Sequence, residues 1–241
     1  MVLHELRMHR MNIREMLQKR GSLICLILLC VFSAFKYDVF LSAHNLANIL
    51  YNASVLGIVS LGMTFVVITG GIDLAVGSMV ALVGVIAALT YPDTGEFSIF
   101  IVLGSGILSG AVVGFCISRL DIAPFITTMA IQIGLRGICH LVTESKIIGI
   151  EAGTENTTLI DFLAMKIAGI PVAGIIWILL TVICWFLLYK TTWGRNVYAI
   201  GNNDAGAALC GINTRRTKMA VYMMSGLLSA IAGLIYAARL G

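Results

Sequence analysis

The residues best placed to do chemistry lie in the stretch Gly70-Gly71-Ile72-Asp73-Leu74-Ala75-Val76-Gly77-Ser78. It falls between two long apolar runs, with almost no polar loop to mark a turn. Adjacent glycines bend or break a helix, and the backbone groups they free must be buried in protein or line a cavity. A carboxylate facing lipid at mid-bilayer costs about 2.5–3.5 kcal/mol, so Asp73 must face the bundle interior or water. Two compatible roles are open to it. It can cap the next helix through that helix's N–H groups, or line a translocation path with Gly70, Gly71 and Ser78.

Asn45, Asn48 and Asn52 form a second set, spaced i, i+3, i+7 on one helical face. Carboxamides donate and accept hydrogen bonds without carrying charge, which suits hydroxyl-rich solutes. They suit helix–helix hydrogen bonding equally. Thr127, Thr128 and Gln132 make a similar, weaker set in a later apolar run.

The third feature is a basic connection, 190–217. Within it Asn202 or Asn203 suits a helix N-cap, Asp204 complements the N-terminal dipole, and Gly211 suits the position after a helix end. Between them the sequence predicts about two turns of helix carrying Ala205, Ala208 and Leu209. A helix that short is marginal in water alone. It is either docked against a partner whose backbone its alanines let come close, or part of a solvated connector.

Enzyme signatures are missing from the sequence. It has no GxxxxGK[ST] phosphate loop, no HExxH and no GxSxG. Its four histidines, His4, His9, His44 and His140, give no evident Ser–His pair on helices. The six cysteines form no CxxC pair and five lie in apolar runs, so they read as packing residues without disulfide or metal. No cofactor and no nucleic-acid partner is expected.

The elements that must position these residues follow from composition. The chain of 241 residues is 59% hydrophobic and 12% charged, with mean hydropathy +0.98. Soluble domains carry about twice that charge, so lipid is the solvent that suits this chain. Runs long enough for a core of about 30 Å fall near 21–35, 47–70, 74–91, 98–118, 123–142, 172–189 and 218–238. The prediction is an all-α polytopic transmembrane bundle of about seven spans, without strands. Residues 1–20 read as a basic amphipathic tail, with Leu3, Leu6, Ile13 and Leu17 near one face, lying on anionic lipid. The transmembrane domain is 21–241, and its first run is a retained anchor rather than a cleaved signal.

Lys and Arg in the loops orient the bundle. With the amino terminus in the cytoplasm, that side collects the tail's Arg7, Arg10, Arg14, Lys19 and Arg20, then Arg119, Lys190, Arg195, Arg215, Arg216 and Lys218. Lys36, Lys146, Lys166 and Arg239 fall outside, among most of the acids. Pro92, Pro124 and Pro171 are expected at helix starts or turns. Gly106, Gly110 and Gly114, and Ser225, Ser229 and Gly233, form small-residue stripes for close helix packing, within or between subunits.

From Phe40 to Gly241 the chain resembles the permease subunits of bacterial binding-protein-dependent ABC sugar importers of the ribose, galactose and xylose type. The elements that carry this are Asn45-Leu-x-Asn48-Ile-Leu, Gly62-Met63-Thr64, Thr69-Gly70-Gly71-Ile72-Asp73-Leu74-x-Val76-Gly77-Ser78 and Ile122-x-Pro124-Phe125-Ile126-x-Thr128. Gly194-Arg195-x-x-Tyr198-Ala199-Ile200-Gly201-x-Asn203-x-Ala205, Gly211-Ile212-Asn213 and Tyr222-x-x-Ser225-Gly226 follow. The resemblance implies two paired permeases, two ATPase subunits docking from the cytoplasm, and a periplasmic or lipid-anchored sugar-binding protein. It makes the connection of Gly194, Arg195, Ala199, Gly201, Asn203, Asp204, Ala205, Ala208, Leu209, Gly211 and Ile212 the element seated in the ATPase groove. The bacterial plasma membrane is the expected location. Such permeases continue for about three more spans, so this chain is expected to be a truncated copy. Here Gly201-Asn202 replaces a usual Gly-Gly step, and Gly206 and Ala208 stand where Ala and often Arg are favoured. An ATP-independent carrier or channel, an intramembrane enzyme and a non-functional truncated permease remain the competing readings.

Overall fold

The computed structural model describes residues 13–146, 148–150 and 158–240, with side chains from Arg20 and, after the second gap, from Ile160 to Arg239. The expected tail face and its basic residues up to Lys19 therefore lie outside the described residues, as do Glu151, Glu155 and the side chain of Leu240. The helices are α1 (Ile13–Lys36), α2 (Ala43–Ile68), α3 (Val76–Thr94), α4 (Ser98–Arg119) and α5 (Pro124–Thr143). They continue as α6 (Thr158–Ala164), α7 (Val172–Lys190), α8 (Thr192–Asn202), α9 (Asp204–Leu209) and α10 (Thr214–Leu240). A single 3-10 turn, Gly95–Phe97, joins α3 to α4. Two-residue strands β1 (Lys166–Ile167) and β2 (Ile170–Pro171) pair as a small antiparallel hairpin ahead of α7.

The chain forms two compact units, 1–49 and 50–241. In the first, α1 leaves helical backbone values at Arg20 (φ −129°, ψ 15°). Beyond that kink its apolar side chains, Leu23, Leu26, Ile27, Leu28 and Leu29 among them, are exposed, as a lipid-facing surface requires. Ser42 accepts the Asn45 N–H at 3.2 Å and so starts α2.

In the second unit α10 is the hub. Of its apolar stretch 61% of residues are buried, against 11% for α5, so α10 is ringed by helices while α5 stands at the rim. Lipid gives helices no hydrophobic reason to associate, so close approach over small residues has to do that work. The Gly106/Gly110/Gly114 stripe of α4 lies on Gly226 and Ala230, Tyr222 and Met223, and Met219 in turn, an antiparallel crossing. At Gly110 a Cβ would run into the Tyr222 carbonyl oxygen. Gly233 instead meets Val80 and Val83 of α3, and Gly62 of α2 meets Ser225 and Leu228. The two predicted stripes therefore do not meet each other. Each packs on a different neighbour inside one chain.

These contacts show that α3 runs parallel to α10 and α4 antiparallel to it, so the 44-residue apolar stretch 76–119 folds back on itself at the 3-10 turn. Among the described residues five stretches are long and apolar enough to cross a membrane, the 44-residue one holding two helices.

Some expectations need correction. Pro92 lies inside the last turn of α3 rather than at a helix start; near a helix end few following residues depend on the bonds it disturbs. Pro124 at the first turn of α5 and Pro171 just before α7 fall as predicted. Two helices were not foreseen. The short α6 packs Ile160 and Leu163 into the core beside α7 and α10. The longer α8 reads as loop because its sequence is polar and glycine-bearing.

Replacing Gly110 by Leu is expected to lower stability by about 1–3 kcal/mol through overpacking against α10. Gly104→Ala, in open space on the same helix, should be neutral or slightly stabilising. Thermal unfolding of the detergent-solubilised protein separates the two, and an unchanged midpoint for Gly110→Leu contradicts this packing.

Candidate functional site

The connection between α2 and α3 is held from three sides. Gly70 adopts φ +76°, a conformation that ends α2, and the Gly71 N–H still reaches the Val66 carbonyl at 3.0 Å. Asp73 is buried, 1% exposed. One carboxylate oxygen accepts the Ala75 N–H at 3.0 Å, and the other accepts the Ser225 hydroxyl of α10 at 2.8 Å. The Tyr222 hydroxyl, one turn earlier on α10, donates to the Ile72 carbonyl at 3.4 Å. Asp73 thus primes the start of α3, as the cap reading expects, and it also ties that start to the hub helix. Ser78 is buried too and donates to the Ala75 carbonyl at 2.8 Å.

The 190–217 connection packs on this same junction. Thr191 caps α8, its hydroxyl accepting the Gly194 N–H at 3.1 Å, and Gly194 lies against the Leu187 and Leu188 carbonyls at the end of α7. At the far end of α8, Gly201 sits on the Ile68 carbonyl and Thr69, immediately before the Gly70-Gly71 break. No side chain fits there. Val197 and Ile200 are buried, and the Trp193 and Phe65 rings lie 5.3 Å apart.

Asn203 caps α9, accepting the Gly206 N–H at 2.9 Å, so of the two predicted caps Asn203 is the one used. Gly211, at φ +84°, ends α9 as predicted, with its N–H on the Ala208 carbonyl and the Ile212 N–H on the Ala207 carbonyl. Asp204 accepts from Lys218 of α10 at 2.6 Å. Of α9 only Ala207 is buried; Ala205 and Ala208 are exposed and Leu209 is 90% exposed. Arg195 is exposed and Ala199 half-buried. The connection is thus two capped helices that present a small apolar tip.

The other predicted residues fall elsewhere. The Asn45 amide turns back to the Phe40 carbonyl at 2.8 Å. Asn52 accepts from Arg239 at 3.3 Å, and Arg239 stacks over the Tyr51 ring. Asn48 is half-buried in α2. Thr127 and Thr128 are buried in the first turn of α5, where Thr128 donates to the Pro124 carbonyl. Gln132, one turn on, opens with Gly77 and Ser78 onto a cavity of about 210 Å³.

Ala81 and Arg136 complete the lining of that cavity, and Arg136 escapes notice in the sequence because it lies in neither set of loops. Its signal was simply a lone cation inside an apolar run.

The descriptions of similar proteins agree with this geometry. A family model described as branched-chain amino acid transport system / permease component matches residues 45–241. The chain is 38% identical over 235 residues to the ribose import permease protein RbsC of Haemophilus influenzae, covering 94% of this chain and 71% of that one. It is 37% identical over 236 residues to the protein of the same name from Bacillus subtilis, covering 96% and 72%. The fructose import permease protein FrcC of Rhizobium meliloti is 31% identical over 227 residues, covering 91% and 63%. No solved structure matches the chain. With its apolar helices, its capped connection and these matches together, the chain belongs to the branched-chain amino acid transport system / permease component family of multi-pass membrane permeases.

Proposed function

We propose that this chain is the membrane-spanning subunit of an ABC importer that carries a monosaccharide, a pentose or hexose, into the cytoplasm. Relatives named as ribose and fructose import permeases support the solute class. The observation that carries the mechanism is the seat of Gly201 on the Ile68 carbonyl, which puts the α8–α9 unit in direct contact with the α2–α3 junction. A separate ATPase gripping the exposed Ala205, Ala208 and Leu209 would push on α8, and α8 has no compliant side chain at Gly201 to absorb the push. The displacement passes to the end of α2, and through Asp73 and Ser225 to α10. Gly194, Arg195, Ala199, Asn203, Asp204, Gly211 and Ile212 shape and cap this lever.

In this reading the amino terminus is cytoplasmic, the chain spans the bilayer seven times, and it pairs with a second permease copy or homologue. A sugar-binding protein delivers the solute from outside. Gln132 faces the solute path, with Ser78 beside it donating to the Ala75 carbonyl, whereas Asn45, Asn52, Thr128 and Asp73 are engaged in structural hydrogen bonds away from the cavity. An ion-driven carrier is less well supported, because both Asp73 oxygens are already hydrogen-bonded.

Three outcomes are expected. Leu209→Glu combined with Ala205→Glu should reduce ATPase co-purification at least about tenfold with little loss of folding, since surface changes cost about 0.5 kcal/mol or less; undiminished capture refutes the docking assignment. Cys210, exposed beside α9, should react with a membrane-impermeant maleimide in inside-out vesicles and stay unlabelled in right-side-out ones. The reverse pattern, read by peptide mass mapping, inverts the topology. Asp73→Ala should destabilise the fold by about 1–3 kcal/mol, because it orphans the Ser225 hydroxyl and the Ala75 N–H. Asp73→Asn, which keeps an acceptor for one of them, should lose less; thermal unfolding of both variants decides.

A further inference from the structure

Arg136 lies 12 residues along α5 from Pro124, about 18 Å up a helix about 30 Å long. It therefore falls near the middle of a membrane-length segment. It is exposed in the single chain, and no described residue hydrogen-bonds to it or pairs with its charge. A second cavity, of about 360 Å³, meets the first at Ala81 and Arg136. The inner one is walled by Gly77, Ser78 and Gln132; the outer one continues past His140 and Tyr236 to Lys146. Along α5, from Gln132 to Thr143, the pair runs about 16 Å in the direction of the helix axes. A cation at that depth has to face a water-filled cavity rather than lipid, and these cavities are the space it faces.

We propose that Arg136, with Gln132 and Ser78, forms a solute-holding station on the translocation path, which takes a single neutral monosaccharide through a pair of adjacent hydroxyls. The proposal rests on the importer reading above and adds the place and the ligand chemistry. A guanidinium donates two parallel N–H bonds from a fixed fork, which matches two neighbouring oxygens on one face of a sugar ring. Gln132 donates and accepts, and the Ser78 oxygen, its proton given to the Ala75 carbonyl, is left as an acceptor. The cavities lie at the small end of the range for ligand pockets, suited to one ring rather than an oligosaccharide. A neutral solute also fits the task of passage. Charge pairing would hold an anion on the guanidinium more firmly than hydrogen bonds hold a neutral sugar, whereas conduction needs binding that is favourable but easily released.

The test uses the permease assembled with its ATPase and binding protein in proteoliposomes, with radiolabelled D-ribose and D-fructose as probes. Arg136→Gln is expected to cut uptake per ATP hydrolysed by about tenfold to a hundredfold, the range for losing hydrogen bonds to a charged donor. ATP hydrolysis and assembly should stay within about twofold. Arg136→Lys, which keeps the charge and loses the fork, should fall between. Ala81→Phe, filling the open waist where the cavities meet, should block uptake with the complex intact, so the proposal stays testable if Arg136→Gln assembles poorly. Normal uptake by Arg136→Gln, or by Ala81→Phe, overturns the station while leaving the importer reading standing. Uptake by the wild-type complex of D-galacturonate in preference to either neutral sugar overturns the ligand class. If the wild-type complex moves no sugar at all, the importer reading fails, and the station with it.

Discussion

One buried carboxylate fixes how the rest of this molecule can be arranged. Asp73 ends up out of water at the junction of two membrane-length helices, so both of its oxygens need donors supplied by protein. Ala75 supplies one from the next residue but one, and Ser225 supplies the other from a helix 152 residues later. The second bond makes α10 a structural necessity for the α2–α3 break. The small residues of α10 then let α2, α3 and α4 come close enough for that bond to form at all.

The same economy explains the connection between α7 and α10. A flexible loop would lose any applied displacement to its own soft dihedrals. Here α8 and α9 are each capped at the start by a side chain, Thr191 and Asn203, and α9 is closed by a left-handed glycine. The ion pair from Asp204 to Lys218 is half-exposed and worth little by itself. Its role is geometric, because it registers α9 against the first turn of α10. In the proposed importer these capped pieces, in contact with α2 at a glycine, serve as the lever, and they end at the junction that Asp73 holds.

Much of this was legible in the chain because it depends on neighbours in sequence. Apolar runs mark membrane-length helices, and Asn203, Asp204 and Gly211 announce α9 through capping preferences that act over a few residues. The α8 helix was not legible, since Thr192 to Asn202 is too polar and glycine-bearing to stand out from a loop, and it is stabilised by burying Val197, Ile200 and Trp193 on other helices. The Ser225 bond to Asp73 was illegible for the same reason: both residues can be noticed singly, but only the fold brings them together. The asparagines of α2 show the converse error. Their spacing suggested one shared role, while Asn45 turns to the backbone just before its own helix and Asn52 accepts from Arg239 on α10.

Asp73 and Arg136 are treated in opposite ways, and the contrast separates scaffold from function. Asp73 is 1% exposed and has both oxygens engaged, so nothing remains for a passing solute to exchange with. Arg136 sits on the rim helix, open to two joined cavities, with no described partner for its guanidinium. A structural charge in a bilayer is stable only when its hydrogen bonds are closed. One left open carries a standing cost, and it is retained where a ligand that comes and goes completes it. On that physical ground the scaffold runs through Asp73 and Ser225, and the solute passes by Arg136.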